Sequence, residues 1–506
     1  MSAGILLARH DQLDLTLYGR IVFGRERVAV ADGAWETAER GRDALLAYLA
    51  SGASAYGVTT GLGYLAARAI SPGDQASFQR SILAGRAAGT GPPLSEAVVR
   101  GAMLLRLTGF LSGVAGVSPD LCRFIADRLN HGWYPVVPSG VSGAAGEIVP
   151  LAHLFGTLVG DGSVLVDGRP VAAERALADA GVLPYQLGAK EGIALINGAP
   201  LAPALAVPLQ LRSSALLDHA TLCAALAIAV TGAPARPYTP RIGELKGDPG
   251  QLAVHRRLWS LLDPGPDRLK DTRQAPISFR VIPQVHGAAA DVLDHLSVQL
   301  ERELRAVTDS PAYLPATDSE PAGLYSSGNF HAQYLVLLLD ATLIAFTQVV
   351  NLLEKRLHRV LDARFSGLPD QLTPDPGRQS GVVVLHKQVI GIAAQARTLA
   401  SPASVHVIEG STGQEDFEAH PLLVAQRLDG VLSALELALA HELIALRQAR
   451  FLAGAELPAP LEEAIALVAQ VVPPIVEDRS LAGDVERVRD LVASGRLVGG
   501  VRSPSI

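Results

Sequence analysis

Five irregular segments place polar side chains beside glycines in a chain that is otherwise strongly apolar. Loops held on a rigid scaffold are where binding and catalytic groups tend to lie. The first is Tyr56-Gly-Val-Thr-Thr-Gly-Leu-Gly63. Its glycines let the backbone turn tightly or approach a ligand. A tyrosine beside such a turn can act as a general base when neighbouring cations lower its pKa; the plainer reading is a turn with a packed ring. The second is the small, glycine-rich run 140–146, followed by Glu147 and His153. The third is Asn197-Gly198, an amide beside a glycine. The fourth, 274–280, ends in Arg280 and runs on to Pro283-Gln284. Its arginine could grip a carboxylate through two parallel hydrogen bonds, or simply cap a helix. The fifth, 409–416, is an acidic loop carrying Gln414, Glu415 and Asp416. Read plainly it is a solvated helix start, since Ser and Thr followed by Glu make good caps.

Several chemistries do not fit this pattern. The glycines at 140, 143 and 146 suggest a phosphate cradle, but their spacing matches neither a Walker loop nor a dinucleotide fingerprint. His441-Glu442 lacks the second histidine of a zinc helix, and no Gly-x-Ser-x-Gly elbow occurs. Two cysteines, Cys122 and Cys223, make neither a disulfide framework nor a metal site and fit a reducing cytoplasm. The 43 basic and 50 acidic residues are interspersed, with a net charge of −7, which is no footprint for nucleic acid. The start, MSAGILLARHDQLDL, has too short an apolar run and no basic n-region for a signal peptide. The longest apolar stretch, 334–353, is interrupted by Asp340, Thr342, Thr347, Gln348 and Asn351. A membrane span wants about twenty clean apolar residues, so a helix inside a bundle is expected there.

The elements that must position these loops are mostly helices. With 49% hydrophobic and 18% charged residues, few aromatics and much alanine and leucine, the composition favours helix over strand. Apolar spacing predicts helices over 34–50, 72–88, 94–112 and 120–131, the last started by Ser118-Pro119. The stretch 160–183 reads as a short strand-and-turn insert. Beyond 192 longer helices are expected at 202–232, 291–308, 331–357, 382–400 and 429–453. Such lengths predict helices running side by side. The expected fold is mainly α: an irregular, loop-rich N-terminal domain (1–200) holding Tyr56 and the loop 140–146, then a long-helix bundle with C-terminal helices (201–506). Helix faces more apolar than one chain can cover suggest a homo-oligomer.

Taken together, the segments resemble the aromatic amino acid lyase superfamily, which includes the histidine, phenylalanine and tyrosine ammonia-lyases. YGVTTGLG, GAAGEIVPLAH, KEGIALING, PISFRVIPQ, ELRAVTDSP, SSGNFHAQ and STGQED occur in the family's order between Tyr56 and Asp416. The resemblance implies an ammonia-lyase-like fold and a homotetramer whose four sites are each assembled from loops of three chains. It implies that Tyr56 removes a β-proton, that Arg280 and Asn197 hold a substrate carboxylate, and that Glu415, with Gln414 beside it, lies near the substrate amine. Asn329 and Phe330 match pocket-side positions.

The departures from the family pattern are as informative. Typical members cyclise Ala-Ser-Gly into the electrophile methylidene-imidazolone (MIO); here the tripeptide is Ala144-Ala145-Gly146. Alanine has no hydroxyl to lose as water, so no MIO is expected. Ile277 stands in place of a second tyrosine, Ala275 of an aspartate and Arg305 of an asparagine, and Glu409, Gly410 and Gly413 alter the last loop. Two cations are unusual for the family: Arg86, where histidine lyases carry a histidine, and Lys387, where an apolar residue is usual. Without MIO the leaving group must depart unaided, and each 1.36 kcal/mol of barrier is about tenfold in rate. A quaternary trimethylammonium needs no activation. That logic fits the MIO-independent ergothionases, which eliminate trimethylamine from ergothioneine to give thiolurocanate. Tyr56 would be the base, Glu415 would face the ammonium, and Lys387 with Arg86 would stabilise charge on the thioimidazole ring. MIO-free elimination from another betaine or amino-acid-like substrate in a specialised pathway, or a catalytically silent homologue with a binding role, are the alternatives.

Overall fold

The computed structural model describes residues 4–143, 146–406, 408–454 and 456–499. The chain is mainly α-helical, and the described strands form only three two-stranded pairs. Five long helices make the bundle: Leu201–Val230, Ile282–Glu303, Gln333–Leu361, Val383–Leu399 and Pro421–Ala453. Leu201–Val230 is buried on almost every face, as its largely apolar sequence requires. It packs against Pro421–Ala453 and Ile282–Glu303, while Pro421–Ala453 also packs along Gln333–Leu361. Inside this bundle Arg356 donates from Nε and Nη2 to the two oxygens of Glu442, each at 2.7 Å, with both side chains fully buried. Glu442 is therefore committed to a structural ion pair, in which each charge is compensated by the other.

The N-terminal half is built from shorter pieces. Its helices include Asp32–Ala50, Gln75–Ala84, Glu96–Phe110, Pro119–Asn130, Ile148–Gly156 and Glu191–Ile196. Ser95 and Ser118 cap two of them through their side-chain oxygens, and Pro119 takes the first helical turn, where its missing N–H costs nothing. The insert expected after residue 160 is the antiparallel hairpin Ser163–Val166 with Arg169–Ala172. Glu96–Phe110 packs on Leu201–Val230, so one hydrophobic core runs through both halves.

Two long helices begin eight or nine residues earlier than their apolar spacing suggests, Ile282–Glu303 and Pro421–Ala453. Each opens with a proline in its first turn, a position proline tolerates. The stretches Glu191–Val230 and Gln333–Leu361 are long and apolar enough to cross a membrane by length and composition. Their most apolar windows are 94% and 61% buried inside the fold, and packing within the bundle accounts for their character.

Candidate active site

The Tyr56 turn is wound so that its own backbone faces the tyrosine oxygen. The Ala55 carbonyl accepts from the N–H groups of Val58 and Thr59, and the Ala55 N–H donates to Thr59 Oγ1 at 2.8 Å. Gly57 has φ +71, and an added Cβ there would collide with the Ile193 side chain. The chain then curls back until the Gly63 N–H donates to the Tyr56 hydroxyl at 2.9 Å. A backbone donor aimed at that oxygen favours negative charge on it.

Gln79, fully buried on Gln75–Ala84, ties this turn to the next site element. Its Nε2 donates to the Gly57 carbonyl at 2.8 Å and its Oε1 accepts from the Ile193 N–H at 3.2 Å. Ile193 lies in Glu191–Ile196, the short helix that ends at Asn197. Tyr56 and Asn197 are thus held by one amide. Replacing Gln79 by leucine is expected to cost about 2 kcal/mol of stability, because a buried carbonyl and a buried N–H lose their partner. It is also expected to lower turnover more than ten-fold as the two side chains lose registry. Chemical denaturation and steady-state kinetics check the two effects separately.

A buried ionic layer lies beneath Asn197. Lys190 Nζ meets Asp309 Oδ2 at 2.7 Å, and Arg106 stands 4.0 Å from the other Asp309 oxygen. Arg106 Nη1 donates to the Asn197 carbonyl at 3.2 Å. Burial pushes the Lys190 amine down and the Asp309 carboxyl up, and their mutual attraction opposes both shifts. Glu147, directly after the glycine-rich run, accepts from the N–H groups of Leu201 and Ala202 at 2.5 and 2.6 Å. Those are otherwise unpaired donors at the positive end of the 30-residue helix. Burial pushes Glu147 up to about 8, against the pull of the two donors and of Arg106.

These elements enclose a cleft of about 620 Å³ lined by Tyr56, Asn197, Phe330, Gln414 and Glu415, together with Ser310, Ser327, His331, Phe417 and Glu418. The loop bearing Glu415 packs against the one following Tyr56. Ser411 Oγ donates to Glu415 Oε1 at 2.8 Å. Arg86 is half-buried just past the end of Gln75–Ala84. Burial pushes its guanidinium down, while Tyr56 and Glu415 pull it up. The arginine that spacing alone could not orient is thereby placed on the Tyr56 and Glu415 side.

Other expected residues lie elsewhere in the single chain. Asn329 is exposed between the cleft residues Gly328 and Phe330, with its N–H donating to Ser327 Oγ at 3.4 Å. Arg280 closes the four-residue helix Ile277–Arg280, and its Nε donates to the Ala275 carbonyl at 2.9 Å. Lys387 is exposed on Val383–Leu399. Neither Arg280 nor Lys387 is among the described residues lining the cleft. Ala144 and Ala145 lie outside the described residues. Among the described residues no group of three or more His, Cys, Asp or Glu could hold a metal ion.

Sequence reasoning missed three residues. Gln79 announced itself only as a polar residue on the apolar face of its helix. His331 sits inside SSGNFHAQ and Glu418 two residues after STGQED, with nothing in residue type or spacing to set them apart.

The aromatic amino acid lyase family model matches residues 13–470. The chain belongs to the aromatic amino acid lyase family. A histidine ammonia-lyase of Geobacillus thermodenitrificans is 35% identical over 98% of this chain and 99% of its own length. The crystal structure of a tyrosine aminomutase from Streptomyces globisporus superposes with a TM-score of 0.89, at 28% identity over 98% of both chains. The ergothionase of Treponema denticola, solved with desmethyl-ergothioneine sulfonic acid, superposes with a TM-score of 0.92 over 98% of this chain and 100% of its own. At 23% identity that likeness establishes the fold. The ammonia-lyase-like architecture expected from the motifs is therefore present, and the family's chemistry is that of carbon–nitrogen lyases acting on small molecules.

Proposed function

We propose that this family member is an MIO-independent carbon–nitrogen lyase that eliminates trimethylamine from ergothioneine to give thiolurocanate. The observation that carries the reading is Ala145, which stands where the family needs serine, in a chain that keeps the tyrosine, asparagine and glutamate of the site. The tripeptide 144–146 does not fit an MIO group, because dehydration requires a hydroxyl that alanine lacks. Amine departure must then be easy by itself, and a trimethylammonium leaves as a neutral amine without proton transfer.

In this reading the Tyr56 oxygen takes the β-proton. The C–H electron pair becomes the Cα–Cβ double bond, and the C–N pair leaves with trimethylamine. The Gly63 N–H and the nearby Arg86 charge support Tyr56 in that role. Asn197 and Arg280 hold the carboxylate. Glu415 faces the ammonium, to which a carboxylate offers attraction without needing an N–H donor. Lys387 stabilises the charge that develops on the ring. Arg280 and Lys387 come from neighbouring chains of a homotetramer. Support for that assembly is the set of large apolar side chains exposed on the bundle helices, Tyr334, Leu337, Ile344, Val384 and Ile390.

The test is release of trimethylamine, with appearance of the thiolurocanate chromophore, on adding ergothioneine to purified protein. No release from ergothioneine, with release from another trimethylammonium acid, would move the assignment to that betaine. Release of ammonia from histidine would overturn it.

A further inference from the structure

Among the described residues, other buried carboxylates are hydrogen-bonded on both oxygens or, like Asp309, stand against buried cations. Both oxygens of Glu147 accept backbone N–H groups, and both oxygens of Glu442 accept from Arg356. Glu418 differs in having an unpaired oxygen with no cation acting on it among the described residues. It is only 5% exposed, the Gly146 N–H is its one backbone donor, and its Oε1 has no hydrogen-bond partner among the described residues. It forms part of the wall between the 620 Å³ cleft and an inner cavity of about 30 Å³ beside His331 and His420. The smaller cavity is about the size of a water, whereas the cleft has room for a substrate, so the cleft side is where a substrate's charge can act on Glu418.

We infer that Glu418 is a second carboxylate of the substrate cleft, a specificity residue that selects a permanently cationic ammonium group. The inference rests on the trimethylammonium reading above and adds the group that recognises the leaving nitrogen. A quaternary ammonium offers no N–H, so it is held by charge and by aromatic faces. Tyr56, Phe330 and Phe417 line the same cleft as Glu415 and Glu418. Among the described residues lining either cavity there is no lysine or arginine to neutralise Glu418. The titratable groups facing it are Glu415 and Asp416 on its own loop, His331 from the preceding segment, His420 at the start of the long helix, Glu147, and Tyr56 across the cleft.

The charge on Glu418 gives the site a pH signature. Burial, with the negative charges of Glu415 and Asp416, pushes its carboxyl up to about 7, against the Gly146 N–H. The carboxylate therefore forms as pH rises through about 7, and preference for a cation grows from pH 6 to pH 8.

A matched ligand pair tests this without turnover. Trimethylglycine carries a trimethylammonium and a carboxylate but no β-carbon, so it cannot eliminate; 3,3-dimethylbutanoate is its uncharged-carbon isostere. Calorimetric titration of the full-length protein is expected to show trimethylglycine binding about tenfold more tightly at pH 8, with the preference shrinking at pH 6. Glu418→Gln keeps an oxygen for the Gly146 N–H and removes the charge. It is expected to lower the preference about tenfold, flatten its pH dependence and leave dimethylbutanoate affinity unchanged. Equal binding of the two ligands by the unmodified protein, or an undiminished preference in Glu418→Gln, overturns the inference. A selective binder that releases no trimethylamine from ergothioneine would instead sink the proposed reaction and leave Glu418 in its role.

Discussion

Changing Tyr56 to phenylalanine is expected to lower kcat for trimethylamine release by about a thousandfold, the scale of losing a positioned general base. KM should change little, because the ring that fills that side of the cleft remains and only its oxygen is removed. The structural cost is small: the Gly63 N–H loses its acceptor at the edge of an open cleft, about 1 kcal/mol. A melting temperature close to the parent's, with turnover nearly abolished, would separate chemistry from folding. Arg86→Met makes the companion measurement. Arg86 interacts with Tyr56 and Glu415 without lining the cleft, so its loss should reduce turnover by less than the loss of the phenol itself. A Tyr56→Phe protein that keeps more than a tenth of the parent's kcat would remove Tyr56 from the mechanism. The base would then have to be sought among Glu415, Glu418 and His331.

How far the sequence could see depended on whether a position is set by local pattern or by what packs against it. The long apolar runs announced the bundle, since a helix that is apolar all round has nowhere to go but inside. The starts of Ile282–Glu303 and Pro421–Ala453 lie eight or nine residues before the apolar spacing becomes regular, each with a proline in its first turn. Tyr56, Asn197, Phe330, Gln414 and Glu415 were legible through motif order, and one cleft gathers them. Glu418 was not legible. A carboxylate next to an acidic loop looks like solvated charge, and only its burial with an unpaired oxygen sets it apart. Gln79 was equally hidden, because its role lies in bridging two segments more than a hundred residues apart.

Arg280 and Lys387 lie outside the cleft of their own chain, and the place of Lys387 predicts a complementation between chains. Lys387 shares an exposed face of Val383–Leu399 with Val384 and Ile390, apolar side chains that a lone chain would leave in water. If that face packs onto a neighbouring copy, Lys387 serves a cleft whose Tyr56 belongs to another chain. Tyr56→Phe and Lys387→Met should then each be inactive alone, the second losing about a hundredfold or more in kcat as a transition-state charge partner is removed. Produced together in one cell, the two inactive chains should form mixed tetramers and regain activity. Random assembly of equal amounts leaves about one site in four with both native residues, from closed symmetric assembly with half of each chain at each position. Recovery near that level places the two residues in different chains of the same site. Absence of recovery, with mixed tetramers demonstrated by differential tagging, would put the lysine in its own chain's site or outside the chemistry. A Lys387→Met protein that is active by itself would do the latter directly.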